Sequence, residues 1–249
     1  YVCLRVSEPL HFFVQDVQPE PRNPETANLR VYHPSDGLAP EVWRGRMGAR
    51  HRAAYLKEEW GLRPRTEEPG QQGVGWKSPV HNEADQAFLQ VYWFPPEIGG
   101  IWLRLWKKYL AVRAQMPCSH PYAFVSFSPK SFGKPLTKDA FVEAYEAGLR
   151  RIGETPSQPE GRAPHGHRHA YGRRLTNHEV GPIYRKQALH HQSLHSQLPY
   201  IEPGAEKVTR ELNRTEANIR SGTNSGEIKF SDFTDVEANG LLTGPYEKL

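Results

Sequence analysis

The feature that most constrains this chain is a single His-x-x-Arg sequence, formed by His165 and Arg168. The sequence contains 12 histidines, and none of the other 11 has an arginine three residues further on. Residues three apart lie on one face of a helix, so these two side chains can share one anion. The sequence therefore predicts a helix here that carries an anion-binding pair.

The charge distribution agrees with an anion-binding role for this stretch. Residues 150–200 contain eight Arg or Lys, three Glu and seven His, whereas residues 201–249 contain six basic and nine acidic residues. A basic block around an anion-binding pair indicates a phosphate-binding surface. The alternative is a solvated charged face, which is the usual explanation of a charge cluster.

Two further residues follow Arg168 at intervals that identify a pattern. His191 comes 23 residues after Arg168, and Tyr200 comes nine residues after His191. Chance would produce both offsets with odds of roughly 1 in 500. The His-x-x-Arg pair, a second histidine and a tyrosine at these intervals resemble the tyrosine recombinases, the phage integrase family.

Three positions depart from the pattern of that family. The family's Leu-Gly-His is replaced here by Leu-His-His at residues 189–191, so His190 stands where the glycine is expected. Ser196 and Gln197 stand where the family has a threonine, and Pro199 directly precedes Tyr200. These departures concern the local backbone more than the chemistry.

The N-terminal phrase CLRVSEPL at residues 3–10 resembles the family's Gly-Leu-Arg-x-Ser-Glu-Leu. By this resemblance, Arg5 is the first catalytic arginine and Glu8 is its supporting carboxylate. A helix is expected to begin near Ser7, with Pro9 in its first turn. The alternative is a surface arginine beside a Ser/Glu helix-capping pair.

The resemblance also implies a catalytic lysine on a hairpin turn of a small antiparallel sheet. Lys77, in GWKSP, lies between two segments with strand propensity, residues 28–33 and 88–94, and the second leads into Pro95 and Pro96. Lys77 is therefore the candidate for that lysine. An ordinary surface lysine is the alternative.

Apolar periodicity and the placement of the motif together predict a mainly helical chain. Helices are expected from about Met47 to Trp60 and over residues 98–115, 138–152, 166–176, 182–190 and 206–219, and a third strand over 123–127. In the 98–115 helix, Ile101, Leu105, Tyr109 and Val112 recur at the helical period, and the tryptophans are expected in the core. The expected fold class is α+β, mainly α: a tyrosine recombinase catalytic-domain fold with a small antiparallel three-stranded sheet. Residues 1–203 would form the catalytic domain, without its N-terminal part, and residues 204–249 a C-terminal helix and tail.

Composition narrows the cellular setting. The two cysteines, Cys3 and Cys118, form no CxxC motif, which argues against a disulfide framework and fits a reducing compartment. No apolar run approaches the ~18 residues of a membrane span. The resemblance to the recombinases implies a cytoplasmic, nucleoid-associated protein of bacterial type that binds double-stranded DNA and forms a homo-tetramer on it through the C-terminal segment. It also implies that no cofactor is used and that the protein does not associate with a membrane.

The resemblance implies a specific chemistry. Arg5 and Arg168 would clamp a phosphate, His165 and His191 would hydrogen-bond it, Lys77 would protonate the leaving 5′-oxygen, and Tyr200 would form a 3′-phosphotyrosyl bond. Three alternatives stay open. The first is a relic that binds DNA without cutting it. The second is a histidine-rich metal-binding protein, in which His191 and His195 have the i, i+4 spacing of a ligand pair. The third is a type IB topoisomerase, a family whose Lys-x-x-Asn sequence does not precede Tyr200 here.

Overall fold

A computed structural model describes residues 3–77, 87–191, 209 and 212–217. Contacts divide the chain into two units, Tyr1–Ile201 and Glu202–Leu249. In the first unit the helices are α1 (Arg52–Trp60), α2 (Ile98–Arg113), α3 (Lys138–Arg151), α4 (Pro164–Asn177) and α5 (Pro182–Ala188), and the strands are β1 (Val17–Glu20), β2 (Asn23–Tyr32) and β3 (Phe88–Gln90). Short 3₁₀ helices lie at Glu8–His11, Val14–Asp16, Arg46–Gly48, Gly70–Gln72 and Pro129–Ser131. In the second unit, residues 209 and 212–217 of the predicted 206–219 helix are described, and they are helical.

The three strands form one antiparallel sheet in the order β1-β2-β3, which confirms the predicted three-stranded antiparallel sheet in a mainly helical chain. Strand β2 alternates buried and half-buried positions, so Ala27, Leu29 and Val31 point into the core. Val17 pairs with Leu29, and Val31 pairs with Leu89. The middle strand therefore supplies the core side chains to which both edge strands are registered.

The membership of the sheet differs from the prediction in two strands. Residues 123–127 form one isolated bridge, between Val125 and Pro135, and no ladder, so the predicted third strand is wrong. Its place is taken by β1, in a proline-containing stretch for which no strand was predicted. Pro19 cannot donate to a ladder, but β1 is an edge strand with one unpaired side, so a proline is tolerated there.

Helix α2 packs against β2, and the predicted helix is confirmed with a different buried face. Leu103 and Trp106 lie in the core, whereas Ile101, Leu105 and Val112 are exposed. The placement of the tryptophans in the core is confirmed, since Trp106 is 4% exposed and stacks on Trp102 at 5.3 Å. The close approach needs Gly99, because a Cβ there would lie 2.6 Å from Thr26 Cγ2.

Two other predicted helices differ in detail. The N-terminal helix is only one turn of 3₁₀ helix, Glu8–His11, because the chain turns at Phe12 toward β1. Helix α3 begins as predicted at Lys138, and the hydroxyl of its N-cap residue Thr137 accepts a hydrogen bond from Ala140 N at 3.2 Å. Phe141, Tyr145 and Leu149 recur at the helical period on one face of α3 and are half-buried, so α3 covers the core loosely.

The connection between β2 and β3 is attached to the core by a buried ion pair. Arg52, at the start of α1, is 1% exposed and pairs with the carboxylate of Asp16. Its guanidinium also lies 4.1 Å from the centre of the Phe13 ring, and its Nε donates to Leu38 O at 3.0 Å.

The predicted helix 47–60 is shorter at its N-terminus, because Met47 takes a left-handed backbone with φ of 54°.

Candidate functional site

Helix α4 carries the His-x-x-Arg pair, as the sequence predicts. Its buried positions are Arg168, Tyr171, Gly172 and Leu175, which recur at the helical period. Tyr171 and Leu175 pack with Cys3 and Leu189 in one apolar cluster. This packing holds the α4 backbone so that Arg168 points toward the segments before Arg5 and His191.

The guanidinium of Arg168 joins those two segments. Its Nη1 donates to Cys3 O at 3.3 Å, and its Nη2 donates to Leu189 O. Cys3 lies two residues before Arg5, and Leu189 lies two residues before His191. Arg168 is 3% exposed, and these two bonds use two of the five N–H groups of a guanidinium. Arg168 therefore has a structural contact and retains donors for an anion.

Arg5 is held by the carboxylate that the family resemblance assigns to it. Glu8 Oε1 accepts from Arg5 Nη1 at 2.9 Å, and Oε2 accepts from Arg5 N at 2.7 Å. Glu8 is buried, whereas the Arg5 side chain is 25% exposed. Ser7 makes no side-chain capping bond to the 3₁₀ helix, so Glu8 serves to orient Arg5 rather than to complete a capping pair. One face of Arg5 thus remains open to solvent.

The backbone at residue 190 explains how the chain tolerates the missing glycine. His190 follows α5 with φ of 50°, the left-handed conformation that glycine adopts most easily. The end of α5 is closed by His190 N donating to Gln187 O at 3.1 Å and by His191 N donating to Lys186 O at 3.0 Å. The His190 ring lies 2.9 Å from Gln90 O on β3, which secures this strained residue.

Burial and the nearby arginine charges lower the pKa of both His191 and His165. Burial lowers the pKa of His191 to about 4, and the charges of Arg168 and Arg5 act in the same direction. Burial also lowers the pKa of His165, followed by the charges of His169, Arg168, Arg5 and Lys77. Both imidazoles are therefore neutral donors or acceptors at neutral pH. The same charges act on two histidines that are 26 positions apart in the sequence.

Sequence reasoning left His169 outside the predicted catalytic set, as a core or phosphate-facing neighbour. Its ring lies 4.7 Å from the ring of His165, one helical turn away on α4. The signal that could have found it is the i, i+4 spacing of the two histidines. Within the described ranges, no group of three or more His, Cys, Asp or Glu residues is arranged to hold a metal ion.

Lys77 lies in the long connection between β2 and β3, which contains α1 and is not a tight hairpin turn. The preceding residue, Trp76, packs its ring edge-on against His11 at 5.6 Å and His33 at 5.5 Å. The charge of Lys77 is the smallest of the contributions that lower the pKa of His165, after burial and the charges of His169, Arg168 and Arg5. Tyr200 and His195 lie outside the described residues, so the position of the nucleophile stays a prediction.

Buried histidines predict that acid destabilises the fold. Burial lowers the pKa of His11 to about 3 and that of His190 to about 4, against about 6.5 in an unfolded chain. The unfolded state therefore binds more protons between about pH 6.5 and 4, so stability is lost as pH falls through this window, by about 2 kcal/mol per histidine at pH 5. Urea unfolding at pH 7 and pH 5 measures this loss.

The control for that prediction is a histidine on the surface. His190→Gln should flatten the pH dependence of the free energy of unfolding, whereas His51→Gln, at an exposed position, should leave it unchanged. Equal free energies of unfolding of the unsubstituted chain at pH 7 and pH 5 would show that His11 and His190 are not held neutral by burial.

The chain was compared with known protein families, sequences and solved structures. No model of a protein family matches the chain, and no characterised protein matches it in sequence. One similar solved structure is a fragment of the Tn1549 transposon integrase in complex with transposon right end DNA, at 14% identity and a TM-score of 0.49. The match covers 86% of this chain and 55% of that chain, so this chain spans about half the length of that structure. Among the described residues, no helix is long and apolar enough to cross a membrane.

Proposed function

We propose that this chain is the catalytic part of a tyrosine-type site-specific DNA recombinase or integrase. The observation that carries the proposal is the double hydrogen bond of Arg168 to Cys3 O and Leu189 O. It links residues far apart in sequence, so that the segments leading to Arg5 and His191 meet at α4. A shared electrostatic environment around His165, to which Arg5, Arg168 and Lys77 contribute, supports the same arrangement.

The proposed reaction has two transfers at phosphorus. The Tyr200 oxygen attacks the phosphorus, the bond to the 5′-oxygen breaks, and Lys77 supplies the proton to that oxygen while Tyr200 loses its own to a histidine or to water. A 5′-hydroxyl of another strand then attacks the phosphotyrosine and releases Tyr200. Each transfer replaces one P–O bond by another, so the phosphodiester energy is retained and no cofactor is needed.

The cationic side chains have defined roles in this proposal. Arg5 and Arg168 would bind the non-bridging oxygens, whose charge grows in the transition state. His165 and His191, being neutral, would each donate one hydrogen bond and would gain a proton more readily once a phosphate dianion-like group lies beside them. Glu8 would orient Arg5 through the two hydrogen bonds described above.

A second candidate function is a relic that binds DNA without cutting it. The observation in its favour is that Arg168 is buried and already donates to two backbone carbonyls. An arginine with this role alone would persist without catalysis. The two functions differ in one measurable property, the formation of a covalent bond between Tyr200 and DNA, and that bond is the test of the proposal.

The partners follow from the same proposal. Double-stranded DNA is the substrate, and a homo-tetramer on DNA, joined through residues 204–249, would bring the exchanging strands together. Residues 1–203 would act as the catalytic domain in a bacterial-type cytoplasm, in association with the nucleoid. These assignments rest on the resemblance of the site to the recombinases.

DNA affinity is expected to fall steeply as salt rises. Each neutralised phosphate releases about 0.9 counterion, so contacts to about five phosphates would cost roughly 10³-fold in affinity over about a fivefold rise in salt. Fluorescence anisotropy with a labelled duplex over a salt series measures the slope. Tyr200→Phe should bind with the same slope, because the hydroxyl is not a charged contact. Affinity that hardly changes with salt would contradict a phosphate-dominated interface.

A further inference from the structure

The connection between β2 and α1 contains an ordered loop that no part of the proposed reaction uses. We name residues 42–50 the arginine loop. Its two sides are joined by hydrogen bonds from Ala39 N to Arg50 O at 2.8 Å and from Gly45 N to Ala49 O at 3.0 Å. At its base, Leu38 forms a β-bridge with His51. The loop is therefore a defined projection rather than a random excursion of the chain.

Helix α1 braces this projection from one side. The Trp43 indole donates to Glu59 Oε1 at 2.8 Å, and Arg46 N donates to Glu58 Oε2 at 3.1 Å. The Trp43 ring also packs against Tyr55 at 5.4 Å. Both carboxylates thus bind the frame of the loop, and neither of these two bonds involves a guanidinium group.

The loop exposes three arginines, Arg44, Arg46 and Arg50. In the part of the chain that the structure describes, none of them forms an ion pair with a carboxylate. The Arg44 guanidinium donates to backbone oxygens of Glu41 and Trp43, which do not neutralise its charge. The loop therefore presents three exposed guanidinium groups that are free to pair with an external anion.

Apolar side chains accompany these charges. Val42 is 95% exposed and Met47 is 106% exposed, so neither contributes to the core. Met47 also has a left-handed backbone, with φ of 54°, which is unfavourable for a residue with a side chain. Folding alone does not account for a strained, fully exposed methionine between arginines.

We propose that the arginine loop is a second DNA-binding element, in which the three arginines neutralise backbone phosphates and Met47 contacts the groove between them. This inference rests on the proposed DNA-binding function and adds a contact away from the scissile phosphate. Exposed arginines with an apolar tip are the combination that groove-binding loops use.

The chain that leads into the loop turns at His33, whose carbonyl accepts from Gly37 N at 3.0 Å. The His33 ring packs on Trp76, so this turn and the segment of Lys77 are fixed to one another.

The experiment compares duplex binding of the whole chain with that of substituted chains. The triple variant Arg44→Gln, Arg46→Gln, Arg50→Gln should bind a random-sequence duplex of about three helical turns some 10–100-fold more weakly at low salt, and its log–log salt slope should fall by about two to three. Met47→Ser should weaken binding severalfold with an unchanged salt slope, because an apolar contact releases no counterions. Both effects are expected without loss of the folded circular dichroism spectrum.

A charge-matched control lies on α2, where Arg104, Lys107 and Lys108 are exposed. A Cβ at Gly100 would lie 3.7 Å from Arg104 Nη1 and 3.2 Å from Glu25 O, so this part of α2 lies beside the start of β2, whereas the arginine loop follows the end of that strand. Replacing these three basic residues with glutamine should change affinity less than about threefold and leave the slope intact. Equal losses in the two triple variants would overturn the proposal, since net charge alone would then explain them.

Two further outcomes decide the remaining cases. Unchanged duplex binding in the loop variant would overturn the proposal even if Tyr200 forms its adduct. Binding to phosphatidylserine vesicles that Met47→Ser abolishes, with duplex binding intact, would assign the loop to a lipid surface and would also overturn it. Because duplex binding needs no cleavage, a chain that binds through the loop but forms no adduct would refute the proposed catalysis and support the loop.

Discussion

Arg52→Met is expected to lower the free energy of unfolding by about 3–5 kcal/mol, because it leaves the buried carboxylate of Asp16 without its cation. Arg52 is 1% exposed and the side chain of Asp16 is 5% exposed, so water cannot replace the lost partner. Burial raises the pKa of Asp16 and Arg52 lowers it, so the variant should bind a proton at Asp16 at higher pH than the unsubstituted chain does. Urea unfolding at neutral pH measures the loss.

The matched control is the exposed pair of Arg150 and Glu146, whose side chains are 61% and 37% exposed. Arg150→Met should cost at most about 0.5 kcal/mol, because solvent screens such a pair. The double variant Arg52→Met, Asp16→Leu should recover much of the loss, since no unpaired charge remains. If Arg52→Met lowers the free energy of unfolding no more than Arg150→Met does, the buried pair does not anchor the β2–β3 connection.

Helices were the most predictable part of the fold. The positions of α2 and α3 follow from apolar periodicity, and those of α4 and α5 follow from the motif that they carry; α3 and α5 begin at the expected cap or proline. The buried face of α2 was not predictable, because Ile101 and Leu105 on one face are as apolar as Leu103 and Trp106 on the other. Only the position of β2 decides between these two faces, and that is a tertiary contact.

The strands were predicted less well for a related reason. Strand β1 contains Pro19, whose lost donor is harmless only at a sheet edge, and the sequence does not state which strand is at the edge. The pair of Asp16 and Arg52 was missed because its members are 36 residues apart, so no local pattern links them. The edge position of β1 and the ion pair both depend on contacts between elements that are distant in the sequence, which local patterns do not predict.

In the candidate site too, local spacing predicts some features, and contacts between distant residues are not predictable from it. His165 and Arg168 are linked by local spacing on one helix, and Glu8 is linked to Arg5 in the same way. The meeting of Arg168 with the segments of Arg5 and His191 was predictable only from the family resemblance, because residues 3 and 168 are joined by a hydrogen bond across 165 positions. Lys77 had no local signal beyond a loop position, and its proposed role as the general acid rests on the resemblance alone.

The largest expected effect on activity comes from one atom, the Tyr200 hydroxyl oxygen. Tyr200→Phe should reduce covalent attachment to DNA by on the order of 10³-fold or more, since the ring remains but the nucleophile is gone. Folding and duplex binding should survive the change. Tyr171 and Tyr184 are the internal controls, because they belong to the same basic block. Tyr171 is buried with its hydroxyl bonded to Tyr92 O at 3.0 Å, and Tyr184 is exposed on α5.

The measurement that tests the central claim most directly is the identity of the residue bonded to DNA. The protein at its natural length is incubated with a nicked suicide substrate carrying its recombination site, and the adduct is digested and mapped by peptide mass. The proposed function predicts a 3′-phosphotyrosyl peptide containing Tyr200, absent in Tyr200→Phe and present in Tyr184→Phe. An adduct on Tyr184, an adduct that persists in Tyr200→Phe, or no adduct from a chain that binds the same DNA would contradict it.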